Sequence, residues 1–250
     1  MLIADSSKIL IWFRNDLRLH DHQPISQALS KQAQLIPVYC FDPRQFGQKS
    51  FGFPKTGAFR AKFLLESVAD LRQSLRTKGS DLLIYQGFPE VVIPKIVTNL
   101  GIDEVYFHAE VTSEEVMVEN TLKKALQALG TITCTFWGST LHNPEHLPFQ
   151  VQNIPEVFTQ FRQQVEKQST VASPLPIPQS FPPIPAIDVG ELPNGPSSEL
   201  SDPSVDSRQM FQFEGGETAG LKRVQAYIWD CDRLRHYKDT RNGMLQPNDS

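Results

Sequence analysis

Short runs of strand-forming apolar residues alternate with amphipathic helical patterns over the first 137 positions. The first run, residues 8–13, reads Lys-Ile-Leu-Ile-Trp-Phe without polar interruption, which is typical of a strand buried on both faces. Similar runs follow at residues 35–41, 81–85, 103–107 and 131–137. Helical spacing of apolar residues separates them, at 23–30, 58–76, 91–100 and 113–129. This alternation predicts an α/β fold, a Rossmann-like parallel five-stranded sheet with helices on both faces.

Ligands of such sheets bind outside the carboxyl ends of the strands. The segments expected at that edge are residues 14–22, 42–56, 86–89, 108–112 and 138–149. A candidate binding site is therefore sought among their side chains.

The chain changes character after the predicted sheet. Of its 19 prolines, nine lie between residues 174 and 203, in a stretch that can hold neither a helix nor a central strand. That stretch predicts an extended connector of the polyproline II kind. An amphipathic helix is expected before it, at residues 154–166, and another after it, at 217–238. We expect an α/β domain at 1–140, a connector at 141–205 that is proline-rich from 174, and the start of further structure at 206–250.

Charge and cysteine usage exclude several classes of protein. A net charge of −4 rules out a basic surface over the whole chain, although a local basic patch remains open. Three scattered cysteines argue against a disulfide framework and a thiolate zinc site. No apolar run approaches the roughly 20 residues of a membrane span, and the N-terminus lacks the pattern of a signal peptide. We predict a soluble cytoplasmic protein with no membrane association.

Familiar nucleotide and metal motifs are absent or imperfect. The first strand is followed by Arg14-Asn15-Asp16 instead of a glycine cradle, and the glycines at 215–220 follow no strand, so they predict a turn leading into a helix. Residues 142–146 match the letters of an H-x-x-E-H zinc motif, but Pro144 interrupts the helix that such a site needs. His20 and His22 lack an identifiable third ligand. No metal is predicted.

Three features could carry chemistry, each with a plainer alternative. Residues 14–21 place two arginines and two carboxylates after the first strand, a pattern that favours an ion-pair network fastening the loop to the next strand. Glu110 follows the fourth strand at the ligand edge and could accept hydrogen bonds from an amino-heterocycle, or be an exposed acid before a helix. Residues 222–241 mix basic and aromatic side chains, as single-stranded nucleic acid favours, although composition alone favours a solvated helix face.

Five segments in a fixed order carry a resemblance to a known family. They are residues 11–21 (Ile-Trp-Phe-Arg-Asn-Asp-Leu-Arg-Leu-His-Asp), 39–44 (Tyr-Cys-Phe-Asp-Pro-Arg), 137–141 (Trp-Gly-Ser-Thr-Leu), 213–221 (Phe-Glu-Gly-Gly-Glu-Thr-Ala-Gly-Leu) and 237–244 (Tyr-Lys-Asp-Thr-Arg-Asn-Gly-Met). The chain resembles the photolyase/cryptochrome family, and within it the DASH cryptochromes. The resemblance covers the chain apart from the proline-rich connector.

The resemblance implies a blue-light flavoprotein. Such proteins have an N-terminal α/β antenna domain, a linker and an all-helical domain that holds FAD. Reduced FAD, excited by light, donates an electron to a cyclobutane pyrimidine dimer, which then splits. DASH members resemble photolyases that prefer single-stranded DNA, and many carry methenyltetrahydrofolate as an antenna. The alternative is a non-catalytic α/β module that binds a folate, a nucleotide or a partner protein.

Individual roles follow from the resemblance by position. Glu110 matches the acid that contacts the folate antenna, and Pro43 and Arg44 lie in the antenna loop. Tyr237 matches a tyrosine that contacts FAD, Ser250 could belong to the run that binds the FAD phosphates, and Arg241 matches an arginine that contacts DNA. No catalytic residue is assigned.

Residues 245–250 depart from the family pattern. Gln246 stands where glycine is usual, and Asp249 where an aromatic residue is usual. The helices that enclose FAD would lie beyond Ser250. We therefore expect a truncated chain that ends in the first helix of an incomplete FAD domain and binds FAD weakly or not at all. The exposed face of that helix predicts a monomer or weak self-association.

Overall fold

The computed structural model describes residues 7–48, 52–193 and 213–240. Its five parallel strands are β1 (Lys8–Phe13), β2 (Gln34–Phe41), β3 (Leu83–Gln86), β4 (Glu104–His108) and β5 (Ile132–Phe136), in the order β3-β2-β1-β4-β5. The helices are α1 (Gln23–Ser30), α2 (Ala58–Thr77), α3 (Pro89–Leu100), α4 (Ser113–Ala128), α5 (Phe158–Gln168), α6 (Glu217–Val224) and α7 (Tyr237–Thr240). The predicted α/β fold is confirmed.

The central strand β1 explains why its sequence does not alternate. Ile9, Ile11 and Phe13 face one core cluster, while Leu10 and Trp12 face a second cluster on the opposite side of the sheet. Helices cover both sides, so every residue of the strand after Lys8 is buried. A strand buried on both faces needs apolar side chains at every position.

The proline-rich segment packs against the domain over the part that the structure describes. Phe181 is only 6% exposed and belongs to the first core cluster, and its N–H donates to the carbonyl of Lys78 at 2.9 Å. Further along, the N–H of Ile84 in β3 donates to the carbonyl of Val189 at 2.8 Å. The segment has the extended backbone that its prolines predict, but it covers the edge of β3 instead of spanning free space.

The helical region after residue 213 differs from the prediction. A single helix over 217–238 is wrong, because α6 runs into a π-helical turn (Gln225–Asp230), and a 3₁₀ turn (Arg233–His236) then precedes α7. Between the two turns Asp232 adopts a left-handed conformation with φ of 47°, which a continuous right-handed helix cannot contain. Apolar periodicity persists through this break, which is why sequence spacing did not reveal it.

None of the described helices has the length and apolar character that crossing a membrane requires.

Candidate functional site

The strand order places a topological switch point between β1 and β4. From β1 the chain builds outward through β2 and β3, then returns to the other side of β1 to form β4 and β5. The loops after β1 and β4 therefore diverge at their carboxyl ends, where α/β sheets bind ligands. Residues 14–22 and 109–112 form these two loops.

Arg14 lies at the base of this crevice, where β1 ends. Its guanidinium forms a buried ion pair with Glu119 of α4, donates to the carbonyl of His108 at 3.2 Å, and lies 4.6 Å from the centre of the Trp12 ring. Glu119 also accepts the backbone N–H of Glu110 at 2.8 Å. The pair thus ties the end of β1 to both β4 and α4.

Asp16 is buried beside two histidines. Its Oδ2 lies 2.9 Å from Nε2 of His22 and 2.5 Å from Nδ1 of His108, and its Oδ1 accepts the N–H of Arg14 at 2.7 Å. Burial alone would raise the pKa of Asp16, but the hydrogen bonds from His108 and His22 outweigh it and hold the pKa well below its usual range.

His22 also caps helix α1, because its Nδ1 accepts the N–H of Ile25 at 3.3 Å. A ring that accepts at Nδ1 carries its proton on Nε2, which faces Asp16. Burial lowers the pKa of His22 and outweighs the opposing effect of Asp16.

Sequence reasoning missed this cluster. Asp16, His22 and His108 are the one group of metal-ligand type found among the described residues. His108 comes from β4, and only the strand order brings it to the β1 loop. The ring of His22 and the N–H of Arg14 supply hydrogens to the carboxylate, so hydrogen bonding accounts for the cluster without an ion.

The ion-pair alternative for residues 14–21 is confirmed for Arg14, which pairs with Glu119, whereas Asp16 is held by hydrogen bonds and the other two charges form no ion pair among the described residues. Arg18 donates to backbone carbonyls, those of His20 (3.1 Å), Asp21 (3.2 Å) and Gly138 (3.5 Å). Asp21 accepts the N–H of Leu175 at 3.0 Å. The loop is fastened to β4, α1, α4 and the connector, and not to the next strand along the chain.

Glu110 lies half-buried at the rim of the crevice. Its Oε1 accepts a hydrogen bond from Nδ2 of Asn15 at 2.8 Å. Partial burial raises the pKa of Glu110, and the nearby charge of Glu115 adds to the effect. This is the carboxyl that the sequence analysis named as a candidate acceptor for an amino-heterocycle, and it is half-buried and not fully exposed.

A cavity of about 490 Å³ is lined by Asn15, the hydrogen-bond partner of Glu110, although Glu110 itself is not among its lining residues. Arg18, His20 and Arg60 place basic side chains around it. The remaining lining residues are Leu17, Gln45, Thr56, Phe63, Leu64, Ser67, Gly216, Glu217, Gly220 and Leu221. The space lies between the β1 loop, α2 and α6, and the β1 loop and α2 each contribute both apolar and basic side chains.

Pro43 and Arg44 begin a short 3₁₀ turn after β2, capped by Asp42. The guanidinium of Arg44 pairs with Asp42 at 2.6 Å and with Glu90 at 2.8 Å, and lies 4.7 Å from the centre of the Phe88 ring. Both carboxylates raise the pKa of Arg44, so it is fully charged and engaged by protein groups. Its predicted place in an antenna loop stays a prediction.

The H-x-x-E-H letters do not form a zinc site of that class. Residues Pro144–His146 form a 3₁₀ turn, so His142 and His146 do not lie one helical turn apart on an α-helix. His142 instead lines an open cavity of about 1100 Å³ beside β5, together with Trp137 and Phe161.

Tyr237 begins α7 and is 46% exposed. It borders an open apolar cavity of about 390 Å³ together with Tyr227 and Leu234. The predicted contact of Tyr237 with FAD stays a prediction. Ser250 and Arg241 lie outside the described residues, so their assignments remain predictions.

Comparison with known proteins adds independent information. Residues 9–183 match the family model described as DNA photolyase. The chain is 54% identical over 237 residues to a protein named cryptochrome DASH from Gloeobacter violaceus, covering 95% of this chain and 47% of that protein. It is 47% identical to the Synechocystis cryptochrome DASH over 238 residues, with coverage of 95% and 48%.

Solved structures agree with this. A Synechocystis cryptochrome superposes with a TM-score of 0.92 at 45% identity, covering 98% of this chain and 50% of that one. A class III photolyase from Agrobacterium tumefaciens gives 0.76 at 26% identity, covering 96% and 48%. The chain therefore spans about half the length of the relatives that it matches.

Proposed function

Since the chain belongs to the DNA photolyase family and corresponds to the N-terminal portion of DASH cryptochromes, we propose that it binds a methenyltetrahydrofolate antenna. Members of this family bind FAD and a folate or another antenna chromophore. In the proposal, Glu110 accepts hydrogen bonds from the amino-heterocycle of the folate. Blue light absorbed there would be passed on to a flavin.

One observation carries the proposal, the placement of Glu110. It is a half-buried carboxyl at the switch point, and it accepts a hydrogen bond from Asn15, which also lines a cavity with apolar and basic side chains. A pterin offers amino and ring N–H donors, for which a carboxylate is the matching acceptor. The basic side chains Arg18 and Arg60 suit the carboxylates of a folate tail.

For the whole protein we propose light-driven repair of cyclobutane pyrimidine dimers in single-stranded DNA. FAD, when bound, supplies the electron that splits the dimer. The residues assigned to that half are Tyr237 and Ser250 toward FAD and Arg241 toward DNA. In a single strand the lesion is already unpaired, which lowers the cost of extruding it.

The folate proposal is tested by titrating methenyltetrahydrofolate into the purified chain and following its absorbance. We expect one site, and binding at least tenfold weaker in Glu110→Ala because the pterin loses its acceptor. A tenfold loss corresponds to about 1.4 kcal/mol. Glu114→Ala removes a nearby carboxylate whose side chain is 68% exposed and serves as the matched control. Equal affinity in wild type and Glu110→Ala would remove Glu110 from the site.

The mixed lining of the cavity beside Asn15 also fits a second candidate, a non-catalytic module that binds folate, nucleotide or partner without flavin. The absorption spectrum of the purified chain tests this candidate. A stoichiometric flavin band, followed by light-dependent splitting of thymine dimers in single-stranded DNA, would overturn the module and establish an enzyme.

A further inference from the structure

The start of α6 is held to the α/β domain by carboxylates that accept backbone N–H groups across the contact. On the α6 side, Glu217 accepts two of them with its two oxygens, from Leu19 at 2.8 Å and from His20 at 2.9 Å. Both donors belong to the β1 loop. A carboxylate that accepts charge-assisted bonds at both oxygens is held in a defined orientation.

Two carboxylates of α2 make the reciprocal contacts. Glu66 accepts the N–H of Gly215 at 2.9 Å, and Asp70, one helical turn later, accepts the N–H of Thr218 at 3.1 Å. The first N–H groups of a helix have no partner within the helix and carry a partial positive charge. We call Glu66, Asp70 and Glu217 together the carboxylate clasp.

The two glycines before Glu217 allow this close approach. A Cβ on Gly215 would lie 2.2 Å from the carbonyl oxygen of Phe63, and one on Gly216 would lie 2.5 Å from Cβ of Asp70. Gly216 also has φ of 106°, a conformation that side chains rarely adopt. The Gly-Gly-Glu sequence is therefore what this contact requires.

The same loop connects the clasp to the candidate folate site. Asn15 at its beginning holds Glu110, while Leu19 and His20 further along are held by Glu217. The cavity beside Asn15 is bounded by Glu217 and Gly216 on its other side. Docking of α6 and the geometry at Glu110 thus share one short piece of backbone.

We propose that Glu217 is a positioning residue, which locks the β1 loop and the start of α6 to each other. The helical part of the protein is thereby placed against the carboxyl edge of the sheet, and Asn15 is placed for Glu110. In this proposal the ligand-free protein has two states, one with the carboxylate clasp formed and one with it broken. The exchange rates of the loop amides show which state is populated.

The first test is amide hydrogen exchange on the full chain, which requires no folate. In Glu217→Ala we expect the amides of Leu19 and His20 to exchange at least tenfold faster. The amides of Gly215 and Thr218 should also accelerate, although their acceptors Glu66 and Asp70 are unchanged. Glu217→Gln, which keeps one acceptor oxygen, should give an intermediate result. Glu214→Ala is the control, because Glu214 is an exposed acid three residues earlier.

Unchanged exchange at Gly215 and Thr218 in Glu217→Ala would overturn the proposal, since Glu217 would then cap only the loop. If that variant does not fold, Asp70→Asn carries the test from the other side. It should accelerate the amides of Leu19 and His20, and no effect there would equally overturn the proposal. Unchanged exchange in β1 shows that the sheet is intact in each variant.

The second test rests on the proposed folate function. Methenyltetrahydrofolate should bind at least threefold more weakly to Glu217→Ala than to wild type, with Glu214→Ala unaffected and partial rescue in Glu217→Gln. If wild type binds no folate, the proposed function fails, whereas the clasp is still decided by the exchange data. Equal folate affinity in Glu217→Ala and wild type would overturn the link between the clasp and Glu110.

Discussion

At the scale of single residues, Asp16 is a buried charge whose described contacts all come from hydrogen-bond donors. Both oxygens are used, by the N–H of Arg14 and by the rings of His22 and His108. An unpaired carboxylate in such a place would lose its charge. The sequence showed a polar loop after a strand, but it could not show that the decisive partner lies 92 residues away in β4.

We predict that His22 makes stability fall on acidification below neutral pH. Burial lowers its pKa in the folded protein, while in the unfolded chain the imidazole keeps its ordinary pKa of about 6.5. The unfolded state therefore binds more protons below that pH, so the contribution is complete above about pH 6.5 and is lost as pH falls. The slope is at most about 1.4 kcal/mol per pH unit.

The free energy of unfolding, determined with urea at about pH 5.5, 6.5 and 7.5, gives this slope. His22→Gln should flatten it, and His146→Gln, at an exposed position, should leave it as in wild type. Protonation of Asp16 also lowers the stability as the pH decreases. This second loss of stability occurs below about pH 4, because the pKa of that carboxyl is lowered in the folded protein. An equal slope in His22→Gln and wild type would contradict the assignment.

At the scale of elements, α6 and the turns after it show what the spacing of apolar residues can and cannot predict. The spacing of Leu221, Val224 and Ile228 predicts helical structure, and helical turns of three kinds are found there. The break at Asp232 and the docking of the helix start on α2 depend on backbone dihedrals and tertiary contacts, which apolar spacing does not encode. The prediction of a turn leading into a helix at 215–220 is confirmed for Gly215 and Gly216, whereas Gly220 lies within α6.

Two alanine substitutions in this element should act in opposite directions. Gly216→Ala meets a positive φ and Asp70, and should destabilise the docked α6 by about 1–3 kcal/mol. Gly220→Ala adds a Cβ in open space within the helix, and should stabilise it by about 0.5–1 kcal/mol. Trypsin cleavage after Lys222 and Arg223 should be faster in the first variant and slower in the second. Changes of the same sign in both would refute the packing described for Gly216.

At the scale of the whole molecule, the described part of the proline-rich segment packs against the α/β domain and contributes side chains to its core. Ile177, Phe181 and Leu192 pack against the core cluster on one side of the sheet, and Ile184, Ile187 and Val189 against the other. Nη2 of Arg72 donates to the carbonyl of Gly190 at 2.9 Å. Proline prevents this segment from forming helix, and apolar residues between the prolines give it a surface to bury.

We predict that Phe181→Ala destabilises the α/β domain by about 3–5 kcal/mol, as expected when a buried phenylalanine is truncated. Phe53→Ala is the matched control, because Phe53 is 72% exposed and should change stability by less than about 0.5 kcal/mol. Urea unfolding of both variants measures the difference. If Phe181→Ala unfolds at the wild-type urea concentration, the segment is a separate connector.

The sequence by itself determined the five strands, the helices of the α/β domain, the family and the position of Glu110 after β4. These depend on local patterns, on hydrophobic periodicity and on motifs in a fixed order, all of which are written along the chain. Tertiary structure alone decided that His108 meets Asp16, that Arg14 pairs with Glu119, that Phe181 enters the core, and that Glu217 reaches the β1 loop. The physical reason is that each of these contacts joins groups far apart in sequence, whose meeting depends on strand order and on the path of the chain around the sheet.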